Sequence, residues 1–99
     1  MDEMLTSDEI QAAELGEWRH EGDSLQASFQ TGDFATGAEL VAQIAAAAEL
    51  ANHHPDITLT YPKVEVLLTT HDSGGVTSKD VELARSISAL AHGIGVVAE

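Results

Sequence analysis

Three of the five histidines, His53, His54 and His71, fall in two short stretches, ANHHPD and TTHDSGG. Neutral imidazole both donates and accepts a proton, and its unperturbed pKa near ~6.5 suits acid or base catalysis close to neutral pH. His53 and His54 follow a helical pattern and His71 follows a strand pattern. All three therefore precede loops, where functional side chains concentrate. Together they predict a cleft that protonates a leaving hydroxyl and accepts a proton from nitrogen, with no Gly-x-Ser-x-Gly elbow to suggest a serine nucleophile.

Two other interpretations of these histidines stay open. A histidine at a helix C-terminus can simply stabilise the helix dipole. A zinc site with three histidine ligands is less favoured, because adjacent residues rarely point at one metal ion and no His-x-x-x-His spacing occurs. Glu49 lies one helical turn before His53, where it can pair with that imidazole or remain in solvent. We interpret His20 and His92 as surface residues.

Hydrophobic periodicity predicts the elements that must position these side chains. Thr6 and Glu9 have the spacing of a capping box, so a first helix begins there and is expected to end near Gly16. In SLQASFQ, apolar and polar residues alternate with the period of a half-buried strand. A Gly-Asp turn joins this strand to EWRH and predicts a β-hairpin.

A period of three to four residues runs through DFATGAELVAQIAAAAELANHH and predicts a long helix. Its predicted apolar face consists of Phe34, Ala38, Val41, Ala45 and Ala48. Pro55 cannot continue the helix, which places His53 and His54 at its C-terminal end.

Two strands, ITLTY and KVEVLLTT, are predicted around a turn at Pro62. A last helix follows in SKDVELARSISALAHGIG and is expected to end at Gly93. Its predicted apolar side consists of Val81, Ala84, Ile87 and Ala91. The order α-β-β-α-β-β-α favours an α+β fold, in which a four-stranded antiparallel sheet has helices packed on one face. At 99 residues, the chain is expected to form a single domain over residues 1–99.

Composition excludes several classes of protein. Seventeen acidic residues against four basic ones give a net charge of -13, which would repel phosphate backbones, so we expect no nucleic-acid partner. The chain has no cysteine, which excludes disulfides and thiolate chemistry. No uninterrupted apolar run reaches the ~18 residues of a membrane span, and the acidic start is unlike a signal peptide. We therefore expect a soluble, cytoplasmic protein with no membrane partner, and its acidic surface would suit a high-salt cytoplasm.

The spacing of the candidate residues resembles the signature of the pterin-4a-carbinolamine dehydratase family. Three residues separate Glu49 from the step His53-His54-Pro55, and Tyr61, His71 and Asp80 follow after five, nine and eight further residues. LGEW resembles the early Leu-x-x-Trp stretch of the family, and FQTGDFATGAELVAQIAAAAELANHHP resembles its long helix. VLLTTHDSGGVTSKDVELA resembles its last strand, Gly-rich loop and closing helix. The similarity covers roughly residues 5 to 90.

The resemblance implies four antiparallel strands with helices on one face, and assembly into homodimers or homotetramers. It also implies a hydro-lyase reaction. The family dehydrates 4a-hydroxytetrahydropterin, the carbinolamine left by aromatic amino acid hydroxylases, to quinonoid dihydropterin in the recycling of tetrahydrobiopterin. No metal and no organic cofactor are implied. Some relatives serve as assembly or transcription partners, so a non-catalytic binding module of the same fold is the alternative.

Carried over by position, His53 and His71 would be general acids near the C4a hydroxyl. His54 would bind the pterin ring and could act as base. Glu49 and Asp80 would orient imidazoles or hold the shape of the site. The competing interpretation of Asp80 is a helix-start residue that faces the helix dipole, and one residue can serve both roles.

Pro55 and Tyr61 complete the supporting, substrate-binding set that the resemblance implies. For Tyr61 and Trp18, packing in the core or on a strand competes with a place at the cleft. Three positions depart from the family pattern. Asn52 stands where many relatives have Asp, and this removes a carboxylate that could raise the pKa of a histidine. Ile57 and Leu59 stand where many relatives have Trp and Asn.

Overall fold

The computed structural model describes residues 3–98. Within that range the helices are α1 (Ser7–Ala12), α2 (Phe34–Ala51) and α3 (Ser78–Gly93). The strands are β1 (Arg19–Glu21), β2 (Ser24–Gln30), β3 (Asp56–Leu59), β4 (Lys63–Leu68) and β5 (Val97–Ala98), and a 3-10 turn spans His71–Ser73. The predicted α+β class and element order are confirmed, while the two-residue β5 was not predicted.

The strands form one antiparallel sheet in the order β1-β2-β4-β3, with β5 also paired to β2. In the β3–β4 hairpin, Asp56 lies opposite Leu67. The first residue of β3 and the last residues of β4 are therefore neighbours. The segments that carry His53 and His54 on one side, and His71 on the other, consequently emerge at the same end of the sheet.

The core lies between one face of this sheet and helices α2 and α3. The alternating apolar residues of β2 and β4 are buried on this face, and Phe29 and Val64 are directly opposite each other. The predicted apolar side of α3 is also buried. Trp18 packs edge-on against Phe29 with 6.0 Å between ring centroids, and its indole N–H donates to Ser88 Oγ. The core interpretation of Trp18 is therefore correct.

The predicted face of α2 is rotated from the buried face by part of a turn, although Ala48 belongs to both. The buried residues of this helix are Gly37, Leu40, Ile44 and Ala48, whereas Phe34 is 54% exposed. Alanines occur on nearly every side of α2, so their spacing does not indicate which face of the helix is buried. The large side chains Leu40 and Ile44, four residues apart, decide which face is buried.

Helix α1 ends earlier than expected, at Ala12, although its predicted capping box between Thr6 and Glu9 is present. Helix α2 has the length and mean hydropathy, 18 residues and 1.2, that a membrane span would need. Its polar side carries Glu39 and Glu49, and its opposite side is buried against the sheet and α3. Only 22% of this helix is buried, so it packs within the fold along one side.

A leucine-to-alanine pair on α2 tests the observed orientation of this helix. Leu40 is fully buried and Leu50 is 91% exposed. Leu40→Ala should therefore lower the free energy of unfolding by about 2–5 kcal/mol, through lost burial and a residual cavity. Leu50→Ala is the matched control and should change it by no more than about 0.5 kcal/mol in urea denaturation. Equal losses in the two variants would contradict the orientation.

The N-terminus of α2 gives the stability a dependence on pH. The backbone N–H of Thr36 donates to Asp33 Oδ1, and this hydrogen bond holds the pKa of Asp33 below its ordinary value of 3.8. Stabilisation from a depressed carboxyl is present above pH 3.8 and is lost as the pH falls through the lower folded-state pKa. Asp33→Asn keeps a capping oxygen but removes this titration. The thermal midpoint of the unchanged protein should exceed that of the variant near neutral pH, and this advantage should disappear in acid. A difference independent of pH would refute the capping role of the charge.

Candidate active site

The end of α2 directs two histidines towards the sheet. Asn52 follows the helix in the left-handed conformation, with φ of 52°. Its N–H donates to the carbonyl of Glu49, and the N–H of His53 donates to that of Ala48. Asparagine tolerates this conformation better than most residues, so it serves here as a helix stop. The chain turns sharply, and His53 and His54 leave the helix at the end of the sheet.

The third histidine is held by a short loop after β4. Thr70 forms an isolated antiparallel bridge with Gly75, and their backbone N–H groups donate to each other's carbonyls. Gly74 closes the loop at φ of 78°, where a side chain would be strained. His71 begins the 3-10 turn inside this loop and is exposed to solvent.

All three histidines line one open cavity of about 390 Å³. This volume falls within the range of about 300–1,000 Å³ that is usual for small-molecule sites. The cavity lies where the end of α2, the end of β4 and the start of α3 meet. Its lining consists of Asn52, His53, His54, Thr69, Thr70, His71, Asp72 and Lys79.

A fully buried carboxylate, Asp80, holds the ring of His53. The distance from Asp80 Oδ1 to His53 Nε2 is 2.6 Å. The other oxygen, Oδ2, accepts from the hydroxyl of Thr70 at 2.7 Å and from the backbone N–H of Thr77 at 2.8 Å. An ionised carboxylate only accepts hydrogen bonds, so Nε2 of His53 donates to it. The second ring nitrogen, Nδ1, then has no proton in the neutral imidazole and can exchange one with a ligand.

Thr70 and Thr77 extend this network behind Asp80. Their hydroxyl oxygens are 2.8 Å apart and buried. Since the single hydroxyl hydrogen of Thr70 is directed at Asp80, the hydroxyl of Thr77 donates to Thr70. Asp80 also completes the capping box of α3 with Thr77, so the helix-start interpretation is correct, and the same carboxylate contacts His53. Neither threonine was among the sequence candidates, although the Thr-x-x-Asp spacing was a usable signal for Thr77.

His54 has a weaker, solvent-exposed partner. Its Nε2 lies 2.6 Å from Glu49 Oε2, and both side chains are more than half exposed. Glu49 therefore pairs with His54 and not with His53. The left-handed turn at Asn52 is the reason, because it ends the helical spacing that would have aligned Glu49 with His53. An exposed pair of this kind orients the imidazole but contributes little to stability.

Two of the expected supporting residues lie outside the cavity lining. Tyr61 is 67% exposed in the turn between β3 and β4. That turn is at the opposite end of the hairpin from the histidines, about 13 Å away for a four-residue strand. Pro55 leads from His54 into β3 and is also absent from the lining. Within residues 3–98, no three histidine or carboxylate side chains are grouped so that they could share a metal ion.

Comparison with known proteins identifies the family. The profile described as Pterin 4 alpha carbinolamine dehydratase matches residues 3–90. The chain belongs to the pterin-4a-carbinolamine dehydratase family. A relative from Natronomonas pharaonis, named "Putative pterin-4-alpha-carbinolamine dehydratase", is 41% identical over 92 residues, which cover 93% of this chain and 100% of the relative. A relative of the same name from Thermosynechococcus vestitus is 45% identical, over 84% of this chain and 87% of its own.

Two solved structures share the fold of this pterin-4a-carbinolamine dehydratase family member. One is a transcriptional coactivator/pterin dehydratase from Brucella melitensis, with a TM-score of 0.84 and 36% identity over 89% of this chain and 98% of that chain. The other is a pterin dehydratase-like protein identified as a RuBisCO assembly factor in the alpha-carboxysome. It has a TM-score of 0.65 and 26% identity, over 76% of this chain and 89% of that chain.

The threonine network of this family member can be tested by removing one hydroxyl. Thr70→Val leaves Thr77 without its acceptor and Asp80 with one fewer donor, in a buried setting. The free energy of unfolding should fall by about 1–3 kcal/mol in urea denaturation. Thr70→Ser retains the hydroxyl and should recover most of this loss.

Thr69→Val is the matched control for this experiment. The hydroxyl of Thr69 donates to the carbonyl of Asp23 in an exposed position, where water can replace it. Its loss should cost less than about 1 kcal/mol. If Thr69→Val lowered the free energy of unfolding as much as Thr70→Val, the buried network would stabilise the fold no more than an exposed hydrogen bond.

Proposed function

We propose that this chain dehydrates 4a-hydroxytetrahydropterin to quinonoid dihydropterin by general acid/base catalysis, within the recycling of tetrahydrobiopterin. The observation that carries the proposal is the convergence of His53, His54 and His71 on one cavity of about 390 Å³. Two of these rings are oriented by carboxylates at 2.6 Å. Family membership supplies the substrate class, because the family description and the names of the relatives specify a pterin carbinolamine.

The reaction is the loss of water from a hemiaminal. The C4a–O bond breaks as the hydroxyl receives a proton, N5 loses its proton, and the electron pair released from the N5–H bond forms the C4a=N5 double bond. One proton is donated and one is accepted, so the protein returns to its starting state once the two have exchanged. Imidazoles suit both tasks at neutral pH.

His53 and His71 serve as general acids towards the C4a hydroxyl in this proposal. The Nδ1 atom of His53 delivers the proton, because Nε2 is held by Asp80. Asp80 stabilises the positive charge that the ring carries before transfer, as a buried carboxylate does for a catalytic histidine. His71, on the opposite loop, can approach the other face of the ring.

His54 binds the pterin and accepts the proton of N5. Its pairing with Glu49 fixes which ring nitrogen faces the cavity. Both side chains are exposed, so a proton taken by His54 passes readily to solvent. We further propose that the protein acts in the cytoplasm as a homodimer or homotetramer.

A non-catalytic assembly role is the second candidate function. It is favoured by one observation, the similarity in fold to a pterin dehydratase-like protein identified as a RuBisCO assembly factor. In that case the chain would bind a protein partner and would not accelerate dehydration. The presence of three histidines on one cavity favours catalysis, since an assembly surface has no requirement for convergent imidazoles.

Turnover measurements on histidine variants test the proposal. Freshly generated 4a-hydroxytetrahydropterin dehydrates slowly by itself, and ultraviolet absorbance follows its loss. The protein should accelerate this reaction. His53→Ala and His71→Ala should each lower kcat/KM by about 10²–10⁴-fold, the usual contribution of a general acid or base.

His92→Ala is the control for these variants. His92 lies at the end of α3, 3.5 Å from Glu17, and does not line the cavity. Its kcat/KM should match that of the unchanged protein. Circular dichroism should show that all variants are folded. If folded protein gave no acceleration, or if His53→Ala and His71→Ala kept full activity, the dehydratase proposal would be rejected in favour of the assembly role.

A further inference from the structure

The face of the sheet that points away from the helices carries a depression of its own. Alternation along the strands puts Ser28 of β2, Glu65 of β4 and Thr58 of β3 on this outer face, while their neighbours Phe29 and Val64 are buried in the core. Glu65 is directly opposite both Ser28 and Thr58, so these three side chains form one row across the sheet. They line the outer depression, which has a volume of about 230 Å³ and shares no lining residue with the cavity of the histidines.

A second row of outward side chains runs across four strands beside the first. In order from β1 to β3 it consists of Arg19, Gln26, Leu67 and Asp56, which also line the depression. Leu67 provides apolar surface in the middle, and Arg19 and Asp56 are about 14 Å apart across three strand spacings. The volume is below the range of about 300–1,000 Å³ that is usual for small-molecule sites, so the depression suits one long side chain better than a whole cofactor or substrate.

The hydroxyl of Ser28 is a buried polar group that the fold leaves without a hydrogen bond. Ser28 is 8% exposed, and its Oγ has no partner among the residues that the structure describes. Nearly all buried polar groups of folded proteins are satisfied, so an unpartnered one calls for an explanation. Because this hydroxyl lies in the lining of a depression, a ligand that enters there can supply the missing hydrogen bond.

The charges of the outer face favour a cationic ligand. Arg19 is paired with Glu21 at 2.8 Å, so its charge is already balanced. Lys63 Nζ lies 3.8 Å from Glu65 Oε2, beyond hydrogen-bond distance, so the carboxylate of Glu65 keeps its acceptor sites. Within residues 3–98, the exposed Asp56 forms no ion pair. These two cations and three carboxylates leave one negative charge on the face.

We propose that the outer depression docks an arginine side chain from a basic segment of a protein partner. The guanidinium lies between the carboxylates of Asp56 and Glu65, and its five N–H donors find further acceptors in the hydroxyls of Ser28 and Thr58. The methylene stem packs on Leu67. The net charge of -13 attracts a basic segment from a distance. This inference does not rest on the proposed dehydratase function, because the two sites share no lining residue and can act together.

Two short peptides test this assignment, acetyl-Gly-Arg-Gly-Arg-Gly-amide and the same peptide with citrulline, a neutral isostere, in place of arginine. Chemical-shift titration of the isotope-labelled protein locates and measures weak binding. The arginine peptide should shift resonances of β2, β3 and β4, and the citrulline peptide should bind at least about fivefold more weakly. Asp56→Asn and Glu65→Gln should each raise the Kd of the arginine peptide by about fivefold.

Glu39→Gln is the matched control, because it removes the same charge from an exposed position on α2 that does not line the depression. It should leave the Kd unchanged. Ser28→Ala separates docking from folding. It should raise the Kd, yet its thermal midpoint should equal or exceed that of the unchanged protein, since the hydroxyl has no partner in the fold. A lower midpoint would show that the hydroxyl serves the fold, and would count against the assignment.

The remaining outcomes are equally decisive. If Glu39→Gln weakens binding as much as Glu65→Gln, the peptide is attracted by the acidic surface as a whole and the outer depression is not a docking site. If the citrulline peptide binds as tightly as the arginine peptide, no guanidinium is recognised and the assignment is wrong. It is also wrong if the arginine peptide does not bind or shifts resonances elsewhere. None of these results alters the dehydratase proposal, which turnover tests separately.

Discussion

The carboxylate of Asp80 is the interaction on which the site depends. A fully buried carboxylate is costly unless its oxygens accept hydrogen bonds, and here three donors meet it. The donors come from the end of α2, the end of β4 and the start of α3. The burial of Asp80 therefore requires that these three segments be in place together. The same requirement fixes the ring of His53, so the stability of the fold and the geometry of the candidate site are coupled.

The other histidines are positioned by backbone constraints at the ends of elements. Asn52 in the left-handed conformation stops α2, and Gly74 closes the loop that carries His71. The antiparallel register of β3 and β4 then brings both segments to one end of the sheet. Because the connections are short and hydrogen-bonded, the scaffold sets the backbone positions of the three histidines.

The sequence predicted those features that depend on local pattern. Alternation located β2, the capping box between Thr6 and Glu9 located the start of α1, and the apolar period of α3 located its buried side. The histidine spacing predicted residues that line one cavity. Features decided by tertiary contacts were not predictable in this way. The partner of Glu49 depends on the left-handed turn at Asn52. The buried face of α2 depends on Leu40 and Ile44, which pack in the core.

Other differences between the expectations and the structure have the same physical origin. The short β5 exists because the chain after α3 returns to the edge of β2, and two residues give no periodicity to recognise. Tyr61 matched the family spacing, but the hairpin carries it to the far end of the sheet from the cavity. Thr70 acts through a hydroxyl hidden behind Asp80, and a single threonine at the end of a strand has no distinctive pattern.

The charge of the protein bears on which ligands the site can use. With a net charge of -13, the surface repels anions at long range, although salt limits this effect to about 8 Å at physiological ionic strength. Among the basic residues, Arg19 and Lys63 lie beside Glu21 and Glu65, and Arg85 donates to the carbonyl of Ala13. Lys79 lies at the cavity.

A neutral pterin approaches such a surface without electrostatic penalty, whereas the negative surface opposes the approach of a phosphorylated ligand. An assembly role would face a stricter condition, because a protein partner must present a basic surface to offset the acidic one. Catalysis on a neutral substrate needs no such complement. The acidic composition, which says nothing about the fold, thus favours the same small, uncharged ligand as the proposed histidine chemistry.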